Sequence, residues 1–173
     1  ILADFASDSK GLPEIQLKAA MQKAQNAVMN TNPKPLGTTA VAAYFHEGTA
    51  YTGWCGDSRI YHFRDHDIRW MSRDHNVLHD ILNKGRSKGS LFLNPQALNR
   101  FFGRELEVKS EFYSFTVEPG DKILLCSDGL SNFLMEPDII HAVTQNSPQD
   151  ASDLIERKLL TEEIGAPDNF TWY

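Results

Sequence analysis

A chain of 173 residues with 41% hydrophobic and 23% charged side chains can bury the core of one globular domain. Its net charge of −6, from 23 acidic against 17 basic residues, argues against a general nucleic-acid binder. No apolar run approaches the roughly 18 residues of a membrane span, no basic-then-apolar leader opens the sequence, and Cys55 and Cys126 lie in apolar runs as buried free thiols, so the expectation is a cytoplasmic protein.

In chain order, PEIQLKAAMQKAQNAVMN is the clearest helix, with Pro13 at its start and Ile15, Ala19, Ala20 or Met21, Ala24, Ala27 and Val28 at helical spacing. NPKP, Asn32 to Pro35, stops it. GTTAVAAYF and TAYTGWC are β-favouring runs punctuated by His46-Glu47-Gly48, and RIYHF and DIRWMS form a second pair around Arg64-Asp65-His66. The short connections predict a four-stranded antiparallel meander. HNVLHDILNKG reads as a short helix closed by Gly85, with Val77, Leu78, Ile81 and Leu82 as its apolar stripe. The turn-rich segment RSKGSLFLNPQALNRFFG has no period and reads as a loop or lid. EFYSFTV and KILLCS are two further strands joined by Glu118-Pro119-Gly120-Asp121. PDIIHAVTQN and PQDASDLIERKLLTEE are two helices, and Ala166-Pro167-Asp168-Asn169 turns into a short terminal strand, FTWY. Mostly antiparallel strands flanked by helices predict an α+β layered domain.

Three aspartates share one context. Asp57 follows a strand in GDSR, Asp128 follows a strand in SDGL, and Asp168 precedes one in PDNF. A single such aspartate suits an ordinary turn. Three that converged would raise one another's pKa unless compensated, and Mg²⁺ or Mn²⁺ compensates hard carboxylate donors.

The motifs GTTAV, GDSRIY, SRDH, ILLCSDGL and PDNFT, in that order and spacing from Gly37 to Thr171, resemble those of the metal-dependent protein phosphatases of type 2C. The helix before GTTAV and the EPGD turn fit bacterial members. The resemblance implies a sandwich of two antiparallel β-sheets flanked by α-helices. It also implies one catalytic domain over residues 1–173 that hydrolyses phosphoserine and phosphothreonine in proteins, opposing a serine/threonine kinase. It implies two Mn²⁺ or Mg²⁺ ions, with a third held more weakly in many members. By motif Asp128 and Asp168 match ligands of the metal pair and act through its activated water, whereas Asp57 matches a ligand of the third ion. Asp74 and His75 of SRDH match a local hydrogen-bonding device, and Arg59 a structural position. Residues 85–98 match the variable flap. A phosphoenzyme is not required, which agrees with the lack of a Cys-x5-Arg loop at either cysteine.

The opening ILADFASDSKG departs from the family pattern, in which a strand ends in Asp-Gly after an early acidic pair. Phe5 stands where that glycine belongs, and the acidic pair is missing. The favoured reading is that the sequence is part of a longer protein, with Asp4 as the metal-bridging ligand and Asp8 as runner-up. The competing reading is a catalytically silent binding or regulatory relative, and a small-molecule phosphohydrolase is a third. Trp54 and Trp70 read as sheet or core aromatics. His62, His66, His75 and His79 lack a zinc spacing, and Arg69, Arg73, Lys84, Arg86 and Lys88 read as a solvated surface. A monomer is expected, without nucleic-acid or membrane partners.

Overall fold

The computed structural model describes residues 11–31, 37–84, 94, 96–104, 109–161, 165 and 168–173. They fall into two compact units, one of Ile1–Asp57 with Arg73–Val117, the other of Ser58–Ser72 with Glu118–Tyr173. Each holds one three-stranded antiparallel sheet with helices against it, as the α+β expectation requires. No helix among the described residues is long and apolar enough to cross a membrane.

In the first unit β1 (Ala40–His46) and β2 (Thr49–Cys55) form the expected hairpin. β5 (Glu111–Thr116) pairs antiparallel with the other edge of β2, giving the order β1-β2-β5. Helix α1 (Pro13–Met29) starts at its proline as predicted and lies on this sheet. The buried stripe differs from the one read off the sequence. Leu17, Ala20, Met21 and Gln25 face inward, while Ile15 is 60% exposed and Ala19 and Ala27 are also exposed. The misreading has a physical source: Gln25 looks like a surface residue, yet its Oε1 accepts a 2.8 Å hydrogen bond from Gly103 N–H, so its burial leaves that acceptor paired. Leu17 and Met21 pack with Ala42, Cys55 and Phe102, each large side chain contributing about 1.5–3 kcal/mol of burial. Helix α2 (Val77–Lys84) forms as predicted, but Leu78 and Leu82 of its expected stripe are exposed. The expected stops at Asn32–Pro35 and Gly85 and half of the expected lid lie outside the described residues. The lid's last residues are anchored: Leu98 bridges to Asn76, Phe102 to Thr38, and Asn99 Nδ2–H donates to Asp80 Oδ2 at 3.0 Å.

In the second unit β3 (Arg59–Arg64) and β4 (Asp67–Met71) form the second hairpin, and β6 (Lys122–Cys126) pairs with the free edge of β3, giving β4-β3-β6. The four-stranded meander is therefore incorrect. β2 and β3 do not pair, because each finds its second partner about 60 residues later, and the three residues between them do not make a hairpin turn. After β6 come a four-residue helix, α3 (Asp128–Ser131), then α4 (Glu136–Gln145) and α5 (Pro148–Leu159). Both longer helices open at a proline, and α5 is capped by Ser147, whose Oγ accepts from Asp150 N–H. The Lys122 ammonium donates to Val143 O at 2.7 Å and to Asn146 O, closing the C-terminus of α4. Tyr61, Phe63, Leu124 and Cys126 meet Leu130, Leu134, Ile139, Val143, Ile155 and Leu159 in the core beneath these helices.

Candidate functional site

The apolar run of β6 ends at Ser127, and the residues just beyond it are held by a segment from the far end of the chain. Residues 171–173 run antiparallel along the edge of β6 away from β3. Leu125 and Tyr173 exchange both backbone hydrogen bonds at 3.0 and 2.9 Å, and Cys126 bridges Trp172. Ser127 N–H donates to Thr171 O at 2.9 Å, and Thr171 N–H donates to Ser127 Oγ at 3.0 Å. FTWY is thus a short paired segment, not a full strand. Continued by two residues, the register sets Gly129 against Asn169, and the contact is tight: a Cβ on Gly129 would lie 2.2 Å from Asn169 O and 3.2 Å from Phe170 Cα. Asp128 and Asp168 each adjoin that contact, one on either segment. The structure therefore brings these two predicted residues to one end of the second unit, Asp128 half-buried and Asp168 exposed, with Asp168 Oδ1 accepting from Asn169 N–H at 2.7 Å.

The other predicted residues are placed differently. Asp4 and Asp8 lie outside the described residues. Asp57 belongs to the first unit, half-buried at the end of β2. There the SRDH motif makes local bonds, as expected. His75 Nδ1 accepts from Gly56 N–H at 3.1 Å, and Asp74 Oδ2 accepts from Asn76 Nδ2–H at 3.4 Å. Arg59 Nη1–H donates to the Tyr61 hydroxyl at 3.3 Å. Burial, eased by Arg59, pushes that phenol up to about 12. Trp54 is buried, its Nε1–H donating to Arg73 O at 2.8 Å, and both cysteines are free and buried.

Among the described residues no three His, Cys, Asp or Glu side chains gather closely enough to hold a metal ion by themselves. The donor chemistry of the Asp128–Asp168 pair nevertheless fits one kind of ion. Mg²⁺ needs only one or two protein carboxylates, since water and phosphate oxygens complete its octahedron, and Mn²⁺ shares the preference for carboxylate and water.

One charged cluster went unread in the sequence. His62, buried in β3, meets Asp121 Oδ2 through Nε2 at 2.8 Å, and Arg64 grips the same carboxylate with Nε and Nη2 at 2.8 and 2.9 Å. Arg64 Nη1 also reaches Glu118 at 2.6 Å. Asp121 is 1% exposed in its side chain, and the Arg64 guanidinium, opposed by burial and helped by Glu118 N–H and His62, holds its carboxyl well below the usual range. No local period in one sequence pairs residues about 60 apart. The EPGD turn was legible, but the partner of its aspartate was not.

The sequence profile of the protein phosphatase 2C family matches residues 2–159. The chain belongs to the protein phosphatase 2C family. Among curated relatives, a serine/threonine phosphatase, stp, of Listeria monocytogenes is 30% identical over 140 residues, covering 79% of this chain and 55% of its own. The chain thus spans about half the length of the curated relatives it matches. Among solved structures, the serine/threonine phosphatase PstP of Mycobacterium tuberculosis is 27% identical with a TM-score of 0.79, covering 99% of this chain and 75% of that one. The catalytic domain of PstP solved with two manganese ions is 28% identical with a TM-score of 0.78, covering 99% and 74%. The 2C resemblance read from the five motifs is borne out, as is the 2C-type fold of antiparallel sheets with helices on them.

Proposed function

We propose that this chain acts as a metal-dependent protein-serine/threonine phosphatase, a phosphoric monoester hydrolase, with residues 1–173 forming one catalytic domain. The observation that supports the reading is the pairing of Leu125–Ser127 with Thr171–Tyr173, which brings the segments carrying Asp128 and Asp168 together at the Gly129–Asn169 contact, in a chain whose family includes phosphatases of that activity. The manganese pair in the PstP catalytic domain supports the choice of cofactor.

In this reading Asp128, Asp168 and Asp4 would hold a pair of Mn²⁺ or Mg²⁺ ions, and Asp57 would help hold a third, weaker ion. Such ions, when bound, would supply an acidified water near neutral pH and positive charge against the phosphoryl oxygens. The work of the protein itself is placement. Asp128 follows directly on a paired strand end, and Asp168 adjoins the Gly129–Asn169 contact, so the backbone that carries each carboxylate is held in place. Hydrolysis forms one P–O bond from water and breaks the P–O bond to the seryl or threonyl oxygen, which leaves with a proton. Positioning and charge supply most of the barrier reduction in such transfers. The substrates are phosphoproteins made by an opposing serine/threonine kinase, the enzyme is a monomer, and two buried free thiols support a reducing, cytoplasmic setting.

The test is turnover of p-nitrophenyl phosphate and of a phosphothreonine peptide by the protein as the cell makes it, with Mn²⁺ and then with EDTA. Turnover that requires the metal and falls at least a hundredfold in Asp128→Asn and Asp168→Asn is expected. A folded protein that binds phosphopeptide and turns over neither substrate at any Mn²⁺ concentration would instead be a silent binding relative.

A further inference from the structure

If Asp57 helps hold the weak cation, as the proposed function has it, something must fix its carboxylate, and the first unit contains a chain of contacts that ends on its neighbour. Gly56 has φ +113, a conformation that side chains rarely adopt, and a Cβ there would lie 2.3 Å from Thr39 Cγ2. His75 clasps this residue at both backbone groups: Gly56 N–H donates to His75 Nδ1 at 3.1 Å, and His75 N–H donates to Gly56 O at 2.9 Å. The ring is 4% exposed and stacks on Trp54 with centroids 6.2 Å apart and planes 18° from parallel.

The tautomer is set by these partners. Nδ1 accepts a hydrogen bond, so in the neutral ring the proton resides on Nε2. Burial, reinforced by the Arg100 charge and opposed by Glu111, favours that neutral ring. Nε2 has no hydrogen-bond partner among the described residues but lies 3.4 Å from Glu111 Oε1 on β5, whose same oxygen takes Arg100 Nη1–H at 2.9 Å. Asn99 N–H donates to His75 O at 3.0 Å, holding the backbone from the other side. An ordinary turn needs none of this. A left-handed glycine can follow a strand without a buried imidazole bonded to it, backed by a carboxylate and a guanidinium.

We infer that His75, backed by Glu111 and Arg100, is a positioning residue that locks Gly56 and thereby sets Asp57 for the weakly held cation. It touches neither substrate nor the reacting atoms. Its effect on phosphate hydrolysis passes through metal affinity at Asp57, and the Nδ1 acceptor is the atom that matters.

The experiment is a Mn²⁺ titration read by electron paramagnetic resonance, which counts free ion whether or not the protein turns over, alongside turnover against Mn²⁺ concentration. His75→Leu keeps bulk but removes the acceptor, and loss of one buried hydrogen bond is expected to weaken the weakest Mn²⁺ class about fivefold or more. His75→Asn places Oδ1 near the position of Nδ1 and is expected to recover most of that loss, although it also surrenders the ring stack. Glu111→Gln is expected to weaken the same class by about twofold. His75→Leu combined with Asp57→Asn is expected to be no weaker than Asp57→Asn alone, as for residues acting through one site. Wild-type titrations in His75→Leu overturn the inference and leave the phosphatase reading standing. Should His75→Leu fail to fold, an unchanged Glu111→Gln together with no retention of Mn²⁺ in His75→Asn overturns it. A wild-type protein that neither binds Mn²⁺ nor hydrolyses p-nitrophenyl phosphate overturns both.

Discussion

Replacing Gly129 by alanine sets two local rules against each other. Gly129 lies in α3, and helix propensity favours alanine over glycine by up to about 1 kcal/mol. The tertiary contact says the reverse. The new Cβ would lie 2.2 Å from Asn169 O and 2.9 Å from Asn169 C, all backbone, with Phe170 Cα at 3.2 Å. A carbon tolerates a carbonyl oxygen at roughly 3.3 Å, so the 169–170 backbone must move by about 1 Å. It cannot do so freely, because Thr171 is bonded to Ser127 and Tyr173 to Leu125. Overpacking of this kind costs about 1–3 kcal/mol, more than the helix gain, so Gly129→Ala is expected to be less stable by about 1–2 kcal/mol in urea unfolding. The same displacement acts on Asp168, and a misplacement of about 1 Å can cost a hundredfold in rate. Mn²⁺-dependent turnover should therefore fall by about ten- to a hundredfold with weaker Mn²⁺ dependence. Gly11→Ala, where the added carbon meets nothing closer than 4.0 Å, is the control and should change neither quantity. A Gly129→Ala protein with the wild-type unfolding midpoint and the wild-type Mn²⁺ titration would refute the reasoning, since it would mean that residues 168–170 are not seated on Gly129.

Asp121→Asn should lower stability by about 2–3 kcal/mol at neutral pH by taking the charge from the carboxylate that Arg64 and His62 share. Because the folded pKa is depressed, that stabilisation is fully present above the unfolded value of about 4 and is lost as pH falls below it. The wild-type advantage in urea titrations should therefore shrink on acidification, and an advantage that grew would contradict the assignment. Burial, only partly offset by Arg100, pushes the Cys55 thiol up to about 11, so it should resist dithionitrobenzoate near pH 8 until the protein unfolds; rapid reaction of the native protein would count against its burial. Ser147→Ala should cost about 1 kcal/mol by removing the acceptor for Asp150 N–H, and an unchanged urea midpoint would show that the cap contributes nothing.

What could be read from the sequence was local, or carried by family motifs. The α1 start at Pro13, both hairpins and the helices opening near Pro137 and Pro148 follow from turn residues and periodicity within about 20 positions. Sheet membership did not. β2 reaches β5 and β3 reaches β6 across about 60 residues, and β-favouring runs carry no label saying which sheet they join. The stripe of α1 was misread at Ile15 because hydropathy cannot foresee that Gln25 pairs with Gly103 N–H. For the site, the motifs named Asp57, Asp128 and Asp168, but only the ladder from β6 to residues 171–173 explains why the segments carrying two of them meet. The His62–Asp121 pair and the Glu111–Arg100 backing of His75 left no trace in spacing, since each joins residues from separate elements.

The two motifs Gly56-Asp57 and Asp128-Gly129 look like ordinary turn pairs, and a turn is a sufficient reason for glycine in each. The structure supplies a further reason in both. At Gly56 the space of the missing Cβ is taken by Thr39, and at Gly129 by the backbone of Asn169. In each case the glycine adjoins an aspartate, and the atom filling its place comes from a segment at least 17 residues away. A turn glycine that merely needs conformational freedom leaves its side-chain volume open, as at Gly48 and Gly120, where nothing lies within 4 Å. The difference separates a glycine that lets the chain bend from one that lets a second segment register against it. Registration of this kind fixes the backbone that carries the adjoining aspartate, because sliding either segment by one residue would both collide at the glycine and break the neighbouring backbone hydrogen bonds.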